Sequence, residues 1–341
     1  MAKTKFLQSE PRTFEFPAHL EIQIDSHLKS LGFSLLDDRK IASCIQQMSD
    51  FYIQNPTLQT PWSESWVQAA QLAYYFPLNY LRSCAVAEEA RRLNFFNGIQ
   101  SFCEVGSGLG ALTAHLSENI GNGYCIEISN EANTLHRKLF PEIKYGFKNN
   151  SRSASVDLMA FSYVLTELQD LPQEAWRTEA LFIVEPSTQE DGRRLMQLRQ
   201  RLIDKGFSIW GPCTHHENCP LLSHSKKDWC HDRIHLRMPE WFLEIEKHLK
   251  FKNRTVTFSY LLARKTPVVR TSTPQARVVG DMLEEKGKTK TMICRREERE
   301  FLSWLKKDKI DIRLHRGDLL NIDFPTEKKG SEVRISSERK D

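Results

Sequence analysis

The sequence predicts an α/β protein with a parallel sheet covered on both faces, a helical region before it and a small β unit after it. Three observations lead to this fold class. Residues from about 19 to 96 show helical periodicity, and after Gly98 short apolar runs alternate with helical stretches. A glycine-rich turn also joins the first of these runs to a helix. Strands that alternate with helices are typical of a parallel sheet.

Residues 1–97 are predicted to form an extended arm followed by helices. Apolar residues recur at three- and four-residue spacings from Leu35 until Asn55-Pro56 breaks the pattern. Thr60-Pro61 offers an N-cap and a first-turn proline for the next helix. We interpret that helix's apolar stripe as core; it comprises Trp62, Trp66, Ala69, Ala70 and Tyr74. A third helix is expected at about Leu78–Phe96.

Residues 98–265 are predicted to form the α/β domain, with an inserted cysteine-bearing loop at about 211–235. The predicted strands are Phe102–Val105, Tyr124–Ile128, Val156–Phe161, Leu181–Val184, Phe207–Trp210 and Val256–Leu262. Helices are expected at about 110–118, 130–139, 191–204 and 238–249. The last strand comes late and alternates apolar with polar residues, which suits an edge or antiparallel strand.

Residues 266–325 follow a Thr/Ser/Pro-rich linker and are predicted to form a small β unit. Its hairpin comprises Ala276–Leu283 and Thr289–Cys294, with glycine in the loop. Ile310–Leu314 and Leu319–Ile322 are candidate further strands. Residues 326–341 are expected to be a charged, mobile tail.

Composition narrows the class of protein. The 341 residues have a mean hydropathy of −0.50 and contain no run of about 18 apolar residues, which excludes a membrane span. The first residues lack the apolar region of a signal peptide and resemble no clear transit peptide, so the eight cysteines are expected to be reduced thiols or metal ligands. The net charge of +4 conceals an asymmetry, because residues 264–341 contain 20 basic and 14 acidic groups. Such an excess favours either a nucleic-acid partner or a solvated, mixed-charge surface.

The glycine-rich turn reads Phe102-Cys103-Glu104-Val105-Gly106-Ser107-Gly108-Leu109-Gly110. A glycine turn between a strand and a helix lets a ligand approach the backbone. Glu127 ends the next strand, where a carboxylate can accept both hydroxyls of a ribose. The pattern Gly-x-Gly-x-Gly is neither a dinucleotide fingerprint nor a P-loop. The alternative is a glycine turn that binds nothing.

An acidic residue followed by Val-Gly-x-Gly-x-Gly resembles the first motif of class I S-adenosylmethionine-dependent methyltransferases. The resemblance implies a Rossmann-like sheet and S-adenosylmethionine as cofactor. The residues it assigns to cofactor binding are Glu104, Gly106, Gly108, Gly110 and Glu127.

The sequence identifies no catalytic residue. The segment after the strand at Val156–Phe161 lacks the Asn/Asp-Pro-Pro-Tyr/Phe tetrad of amino-directed methyltransferases. Pro212-Cys213 matches the Pro-Cys pair of cytosine-C5 methyltransferases, whose thiolate attacks the base. We reject that role because Cys213 belongs to a cysteine cluster.

Three cysteines, Cys213, Cys219 and Cys230, fall within 18 residues, and Cys294 follows at the end of the hairpin. Thiolates on a loop fixed by prolines suit a soft metal. The two-residue cysteine spacing common at zinc sites is missing, whereas spacings vary more in [4Fe–4S] proteins. Zinc, an iron–sulfur cluster and unliganded thiols all stay open, and the candidate substitute ligands are His215, His216, His224 and His231. The other cysteines are expected to be buried apolar residues; they are Cys44, Cys84, Cys103 and Cys125.

An ordered set of blocks surrounds these cysteines. It comprises Glu185-Pro186-Ser187, Arg193-Arg194-Leu195, Gly211-Pro212-Cys213-Thr214-His215, Cys219-Pro220-Leu221, Trp229-Cys230-His231 and Phe258–Arg264. The set resembles the methyltransferase-like family associated with the mitochondrial small ribosomal subunit and its bacterial relatives, from about Pro77 to about Leu320. The resemblance implies that Cys213, Cys219, Cys230 and Cys294 hold a [4Fe–4S] cluster. It also implies a role in assembly of the small ribosomal subunit through binding of its rRNA.

These observations predict an S-adenosylmethionine-binding, iron–sulfur protein that acts on or binds small-subunit rRNA or a pre-ribosomal particle. The alternative is a non-catalytic assembly factor that uses the cofactor fold and the metal site structurally, and a third reading replaces the cluster with zinc. A monomer without a membrane partner is expected. Its location would be the cytoplasm, or the mitochondrial matrix in a eukaryote.

Overall fold

A computed structural model describes residues 7–55, 58–143, 146–148, 155–168, 170–250, 252–270 and 272–335. Its α-helices are α1 (Ala18–Ser30), α2 (Asp38–Gln54), α3 (Ser65–Ala70), α4 (Phe76–Arg92), α5 (Ala111–Ser117), α6 (Asn130–Leu139), α7 (Leu165–Leu168), α8 (Gln189–Asp204), α9 (Pro220–Ser223) and α10 (Glu240–Lys247). A π-helical turn at Gln71–Tyr75 joins α3 to α4.

The strands of the first half are β1 (Thr13–Glu15), β2 (Ser101–Val105), β3 (Asn122–Ile126), β4 (Gly146–Lys148), β5 (Leu158–Ser162), β6 (Ala180–Glu185), β7 (Ser208–Gly211) and β8 (Asp232–Arg237). Those of the second half are β9 (Thr255–Arg264), β10 (Gln275–Val278), β11 (Leu283–Glu284), β12 (Lys288–Cys294), β13 (Glu300–Leu305), β14 (Leu319–Asn321), β15 (Thr326–Lys329) and β16 (Glu332–Ile335). None of the helices in the described ranges is long and apolar enough to cross a bilayer.

The chain forms two compact units. The sheet unit comprises Thr13–Glu185 and Ile234–Val256. The cysteine unit comprises the described parts of Met1–Arg12, Pro186–Arg233 and Thr257–Asp341. Each unit gathers separate stretches of chain, so the domain boundaries predicted after residues 97, 265 and 325 stay a prediction.

The sheet unit contains five parallel strands in the order β4-β3-β2-β5-β6. The first of them along the chain, β2, lies in the middle, and the strand order reverses there. This is the order of a doubly wound Rossmann-like sheet, in which ligands bind beyond the carboxyl ends of the strands at the reversal. The predicted class I methyltransferase-like, Rossmann-like α/β fold is therefore confirmed.

The N-terminal helices belong to the sheet unit and cover part of its core. Ala69, Ala70 and Tyr74 of the predicted stripe are buried, and the Tyr74 ring stacks on Phe242 with centroids 5.3 Å apart. Trp62 and Trp66 are only half-buried. The prediction of a buried core stripe is thus confirmed for Ala69, Ala70 and Tyr74.

Two helix boundaries differ from the prediction. The helix expected from Thr60-Pro61 begins at Ser65, because the Trp62 and Glu64 amides close turns onto Thr60 and Pro61 instead of a helix. The helix expected to reach Phe96 ends at Arg92, since Asn94 adopts a left-handed φ of 56°.

The cysteine unit contains the C-terminal sheet, with strand order β14-β10-β12-β13-β16-β15. Its β7 and β9 pair antiparallel, which confirms the antiparallel character predicted for the last strand of the α/β region. The sequence analysis missed β13, and the predicted strand at Ile310–Leu314 forms only an isolated bridge between Gln8 and Arg313.

The tail expected beyond Thr326 instead contains β15 and β16. Charged residues alternate with Val333 and Ile335 in β16, so the composition suggests a solvated tail while the pattern is that of a strand. Both apolar side chains are buried in the core of the C-terminal sheet. The expectation of a mobile tail is therefore wrong for residues 326–335, and 336–341 lie outside the described residues.

Candidate cofactor loop and cysteine site

The glycine loop lies between β2 and α5, at the carboxyl end of the central strand. Gly106, Gly108 and Gly110 have φ values of 69°, 50° and 80°, a region that side-chain-bearing residues rarely adopt. Close packing adds a second requirement. A Cβ on Gly106 would lie 2.5 Å from Val164 Cγ2, and one on Gly110 would lie 1.9 Å from His136 Nε2.

Glu104 lies beneath the loop, with only 1% of its surface exposed. Its carboxylate accepts a hydrogen bond from the Thr113 hydroxyl on α5. Burial raises the pKa of Glu104 to about 8, so this carboxyl group readily holds a proton near neutral pH. The contacts of Glu104 in this structure tie the strand to the following helix.

Glu127 lies directly after β3, beside the loop. One carboxylate oxygen accepts the Gly108 N–H at 2.9 Å and the other accepts the Ser129 N–H at 2.9 Å. The structure therefore brings the second-strand acid and the glycine loop together, as the ribose-binding reading requires.

A third strand end completes this edge of the sheet. Glu185 at the end of β6 is buried and accepts the N–H groups of Val164 and Leu165 at 3.2 and 3.1 Å. This fixes Val164 against Gly106. The preceding Tyr163 has a left-handed φ of 58°, and its ring lies beneath the Arg82 guanidinium, 5.6 Å from the ring centre.

Trp62 is a loop neighbour that the sequence analysis missed. Its Cζ2 lies 3.9 Å from where a Cβ on Gly108 would stand. The prediction that Trp62 belongs to the core stripe is wrong, because its half-exposure and this contact place it at the ligand edge of the sheet. No signal in the sequence distinguishes it from Trp66.

The four predicted cysteines line one cavity in the cysteine unit. Cys213, Cys219 and Cys230 come from the loop between β7 and β8, and Cys294 comes from the end of β12. Apolar side chains pack around them, namely Met196, Leu221, Val279, Leu222, Trp229 and Met292. Cys213 and Cys294, which are 81 positions apart in the sequence, thus line the same cavity.

The Trp229-Cys230-His231 block is held by residues of two other blocks, Glu185-Pro186-Ser187 and Phe258–Arg264. The Trp229 indole N–H donates to the Ser187 carbonyl at 2.7 Å, and the Ser259 hydroxyl donates to the Cys230 carbonyl at 2.8 Å. Gly192 leaves room for the indole, because a Cβ there would lie 2.5 Å from Trp229 Cδ1. These contacts bring the three blocks together in the folded chain.

Arginine is the site component that the sequence analysis missed. Arg199 is 2% exposed; its Nε donates to Cys213 Sγ at 3.2 Å and its Nη2 donates to the His215 carbonyl at 2.8 Å. Arg270 and Arg277 bind the carbonyls of Cys213 and Pro212. A signal existed, since Arg199 occupies a position on the buried stripe of α8 between Leu195 and Leu202.

Burial raises the pKa of the Cys219, Cys230 and Cys294 thiols, and proximity to the other cysteines raises it further. Neutral thiols are therefore favoured until a cation offsets the charge. Metal binding to such a set releases protons and is favoured as pH rises.

The four histidines considered as substitute ligands lie in different surroundings. His215 Nε2 lies 3.3 Å from Cys294 Sγ, and His216 Nε2 accepts the Ile209 N–H at 2.8 Å. The His231 ring packs on Trp229, and His224 is exposed. Within the described ranges, no three His, Cys, Asp or Glu side chains converge closely enough to hold a single metal ion.

Three of the remaining cysteines are buried as predicted: Cys44, Cys103 and Cys125. Cys84 is only partly buried. Cys125 Sγ lies 3.3 Å from the Thr113 hydroxyl, beneath the glycine loop.

The sheet, with a glycine loop after its central strand, defines a Rossmann-like α/β protein, and the same chain contains the cysteine unit. The family model of the mitochondrial small ribosomal subunit Rsm22 matches residues 67–311, more than two thirds of the chain. The chain therefore belongs to this family. No curated protein matches it significantly.

Solved methyltransferase structures are similar at low identity. M. capricolum TrmK with S-adenosylhomocysteine is 11% identical, with a TM-score of 0.33 over 55% of this chain and 69% of that one. Magnesium protoporphyrin IX methyltransferase from Synechocystis with S-adenosylhomocysteine is 12% identical, with a TM-score of 0.35 over 56% and 85%. The ribosomal protein L11 methylase of Lactobacillus delbrueckii is 16% identical, with a TM-score of 0.31 over 39% and 71%. With TM-scores below 0.5, these likenesses support no conclusion about this chain.

Proposed function

We propose that this chain binds S-adenosylmethionine at the glycine loop and acts on or binds small-subunit rRNA during ribosome assembly or translation. The main support for cofactor binding is that Glu127 contacts the glycine loop at the point where the strand order of the sheet reverses. Membership of a small-ribosomal-subunit family supports the rRNA partner.

In this proposal Gly106, Gly108 and Gly110 let the cofactor approach the backbone, and the Glu127 carboxylate accepts the ribose hydroxyls. Glu104 supports the loop from below. The cofactor supplies an electrophilic methyl group when bound. No residue of the chain is assigned as base or nucleophile.

Titration calorimetry with S-adenosylmethionine tests the cofactor. Glu127→Gln keeps an acceptor oxygen but loses the charge, and we expect at least a tenfold weaker binding, about 1.4 kcal/mol. Glu131→Gln, an exposed acid on α6, is the matched control. Equal affinities of the two variants would reject the assignment of Glu127.

We also propose that Cys213, Cys219, Cys230 and Cys294 hold a [4Fe–4S] cluster, with zinc as the alternative. Four thiols that line one cavity fit a soft-metal centre. Around a single zinc ion, sulfurs at about 2.3 Å from the metal stand only about 3.8 Å apart. In a cluster each sulfur binds its own iron, which suits cysteines that share a cavity without converging on one point.

Anaerobic purification followed by an absorption spectrum and metal analysis tests this choice. Iron and sulfide with a broad visible band, both lost in Cys230→Ser, are expected. Colourless protein that carries zinc would replace the cluster with the alternative.

A non-catalytic assembly factor is the second candidate, favoured by the missing acceptor tetrad after β5. Incubation with small-subunit rRNA and labelled cofactor separates the candidates. Methyl transfer identifies an enzyme. Tight cofactor binding without transfer, together with crosslinking to small-subunit rRNA in cells, identifies the assembly factor.

The proposed location is the cytoplasm, or the mitochondrial matrix in a eukaryote. A monomer is expected, and light scattering of the purified chain measures it.

A further inference from the structure

Two arginines of α8 hold the cysteine loop in different ways. Arg193 Nη1 donates to three backbone carbonyls of the loop, those of Leu221, Ser225 and Asp228, at 3.4, 3.1 and 2.8 Å. Arg199, further along the helix, donates to a cysteine sulfur as well as to a carbonyl. One contact set is purely structural and the other reaches a candidate ligand atom.

Arg199 also carries a charge that needs a counter-ion. Its guanidinium is almost fully buried, and a buried cation is costly without an anionic partner. In the described part of the chain no carboxylate forms an ion pair with it; the groups that favour its charged form are Cys213, Cys219 and Cys294. The thiolates of a loaded site would supply the missing negative charge.

We propose, on the basis of the proposed metal site, that Arg199 is a positioning residue. Its Nε–H bond orients Cys213 Sγ, and its buried cation offsets the negative charge of the loaded four-cysteine centre. Net charge and hydrogen bonds to sulfur set the reduction potential of an iron–sulfur cluster. Arg199 therefore raises the potential, because its cation and its N–H···S bond stabilise the reduced, more negative state. Arg193 is expected to have no such effect, since its hydrogen bonds within the described part of the chain go to backbone carbonyls.

The test compares full-length wild type, Arg199→Gln, Arg199→Lys and Arg193→Gln, purified anaerobically with folding checked by circular dichroism. Cluster content and midpoint potential are measured by an optical and EPR redox titration with dithionite. At a fixed poise we expect the oxidised-to-reduced ratio of Arg199→Gln to rise at least tenfold, about 59 mV for one electron. Arg199→Lys keeps the charge but not the planar donor, so its ratio falls between those of Arg199→Gln and wild type.

Arg193→Gln distinguishes this role from simple loop support. It is expected to lower cluster content while leaving the potential at the wild-type value. Wild-type potentials in both Arg199 variants would overturn the inference, as would equal shifts in Arg199→Gln and Arg193→Gln. If the Arg199→Gln variant binds no cluster, the midpoint potential of the Arg199→Lys variant is compared with that of wild type instead. A wild-type value would then overturn the inference.

Failure of the proposed cluster has a different signature. Wild-type protein with zinc and no iron would reject the cluster itself. The role of Arg199 is then tested by measuring the rate at which each variant loses zinc to a chelator. Faster loss from Arg199→Gln than from Arg193→Gln supports the inference, and equal rates overturn it.

Discussion

Single residues at both candidate sites are constrained by what lies directly against them. In the glycine loop the constraint is steric, because Val164 and His136 occupy the space that side chains on Gly106 and Gly110 would need. Around the cysteines it is electrostatic, because Arg199 brings a buried positive charge to Cys213. Both constraints are local enough to test by single substitutions.

Gly110→Ala is expected to destabilise the protein by about 3 kcal/mol. The left-handed φ of 80° costs an alanine about 1 kcal/mol, and the clash with fully buried His136 adds the cost of overpacking. Gly98→Ala has a similar φ of 78° but nothing within 4 Å, so it isolates the backbone term at about 1 kcal/mol. Urea unfolding of both variants measures the difference, and equal losses would show that His136 gives way.

Glu104→Gln is expected to stabilise the protein at alkaline pH. Burial raises the pKa of Glu104 to about 8, so its contribution to stability is fully present below the ordinary glutamate pKa and is lost as pH rises towards 8. A neutral isostere removes this loss. At about pH 8.5 we expect a gain of roughly 4 kcal/mol, which falls to about 1 kcal/mol at about pH 5.

Urea unfolding at the two pH values checks this prediction. The exposed Glu142→Gln variant makes the same change of charge and is the control. A gain that does not depend on pH would mean that Glu104 titrates normally.

Whole elements differ in how well the sequence predicts them. The strand–glycine loop–helix segment is local, so its residues alone predict β2, α5 and the neighbouring strand that Glu127 directly follows. The strand β8 is missed because its polar sequence pairs with β1, far away along the chain, through register that no local pattern records. Tertiary pairing of this kind overrides propensity.

The cysteine site, too, can be predicted only in part from the sequence. The cysteines can be listed from the sequence, but their shared cavity depends on Trp229 meeting Ser187 and on β12 meeting the loop. Arg199 could have been predicted in part, because a charged residue on an apolar helix stripe requires an explanation. The hydrogen bond from Arg199 to Cys213 Sγ could not have been predicted from the sequence.

Gly192→Ala tests how α8 supports the cysteine loop. A glycine replaced by alanine inside a helix normally gains about 1 kcal/mol. Here the new methyl group would meet Trp229, so we expect a loss of about 1–3 kcal/mol by urea unfolding and lower metal content by elemental analysis. Gly287→Ala, with nothing within 4 Å, is the control in the same unit. A stabilised, fully loaded Gly192→Ala protein would contradict the support role.

In the molecule as a whole, ion pairs determine which basic residues of the C-terminal region are available to a partner. Many C-terminal cations are already paired, as in Arg295–Glu300, Lys288–Glu332 and Lys306–Glu284. Lys307 and Lys309 are exposed, and no ion pair among the described residues occupies them. They are the first candidates for contact with phosphates of the proposed rRNA partner.

The double variant Lys307→Glu/Lys309→Glu is therefore expected to weaken binding to a small-subunit rRNA fragment. If each lysine neutralises one phosphate, the slope of log K against log salt becomes shallower by about 1.4–1.8, because fewer counterions are released. Fluorescence anisotropy at several salt concentrations measures both quantities. Arg137→Glu/Lys138→Glu makes the same change in net charge on exposed residues of the sheet unit and is the matched control. If the two double variants lose affinity equally, binding follows net charge alone, and Lys307 and Lys309 are not part of the contact surface.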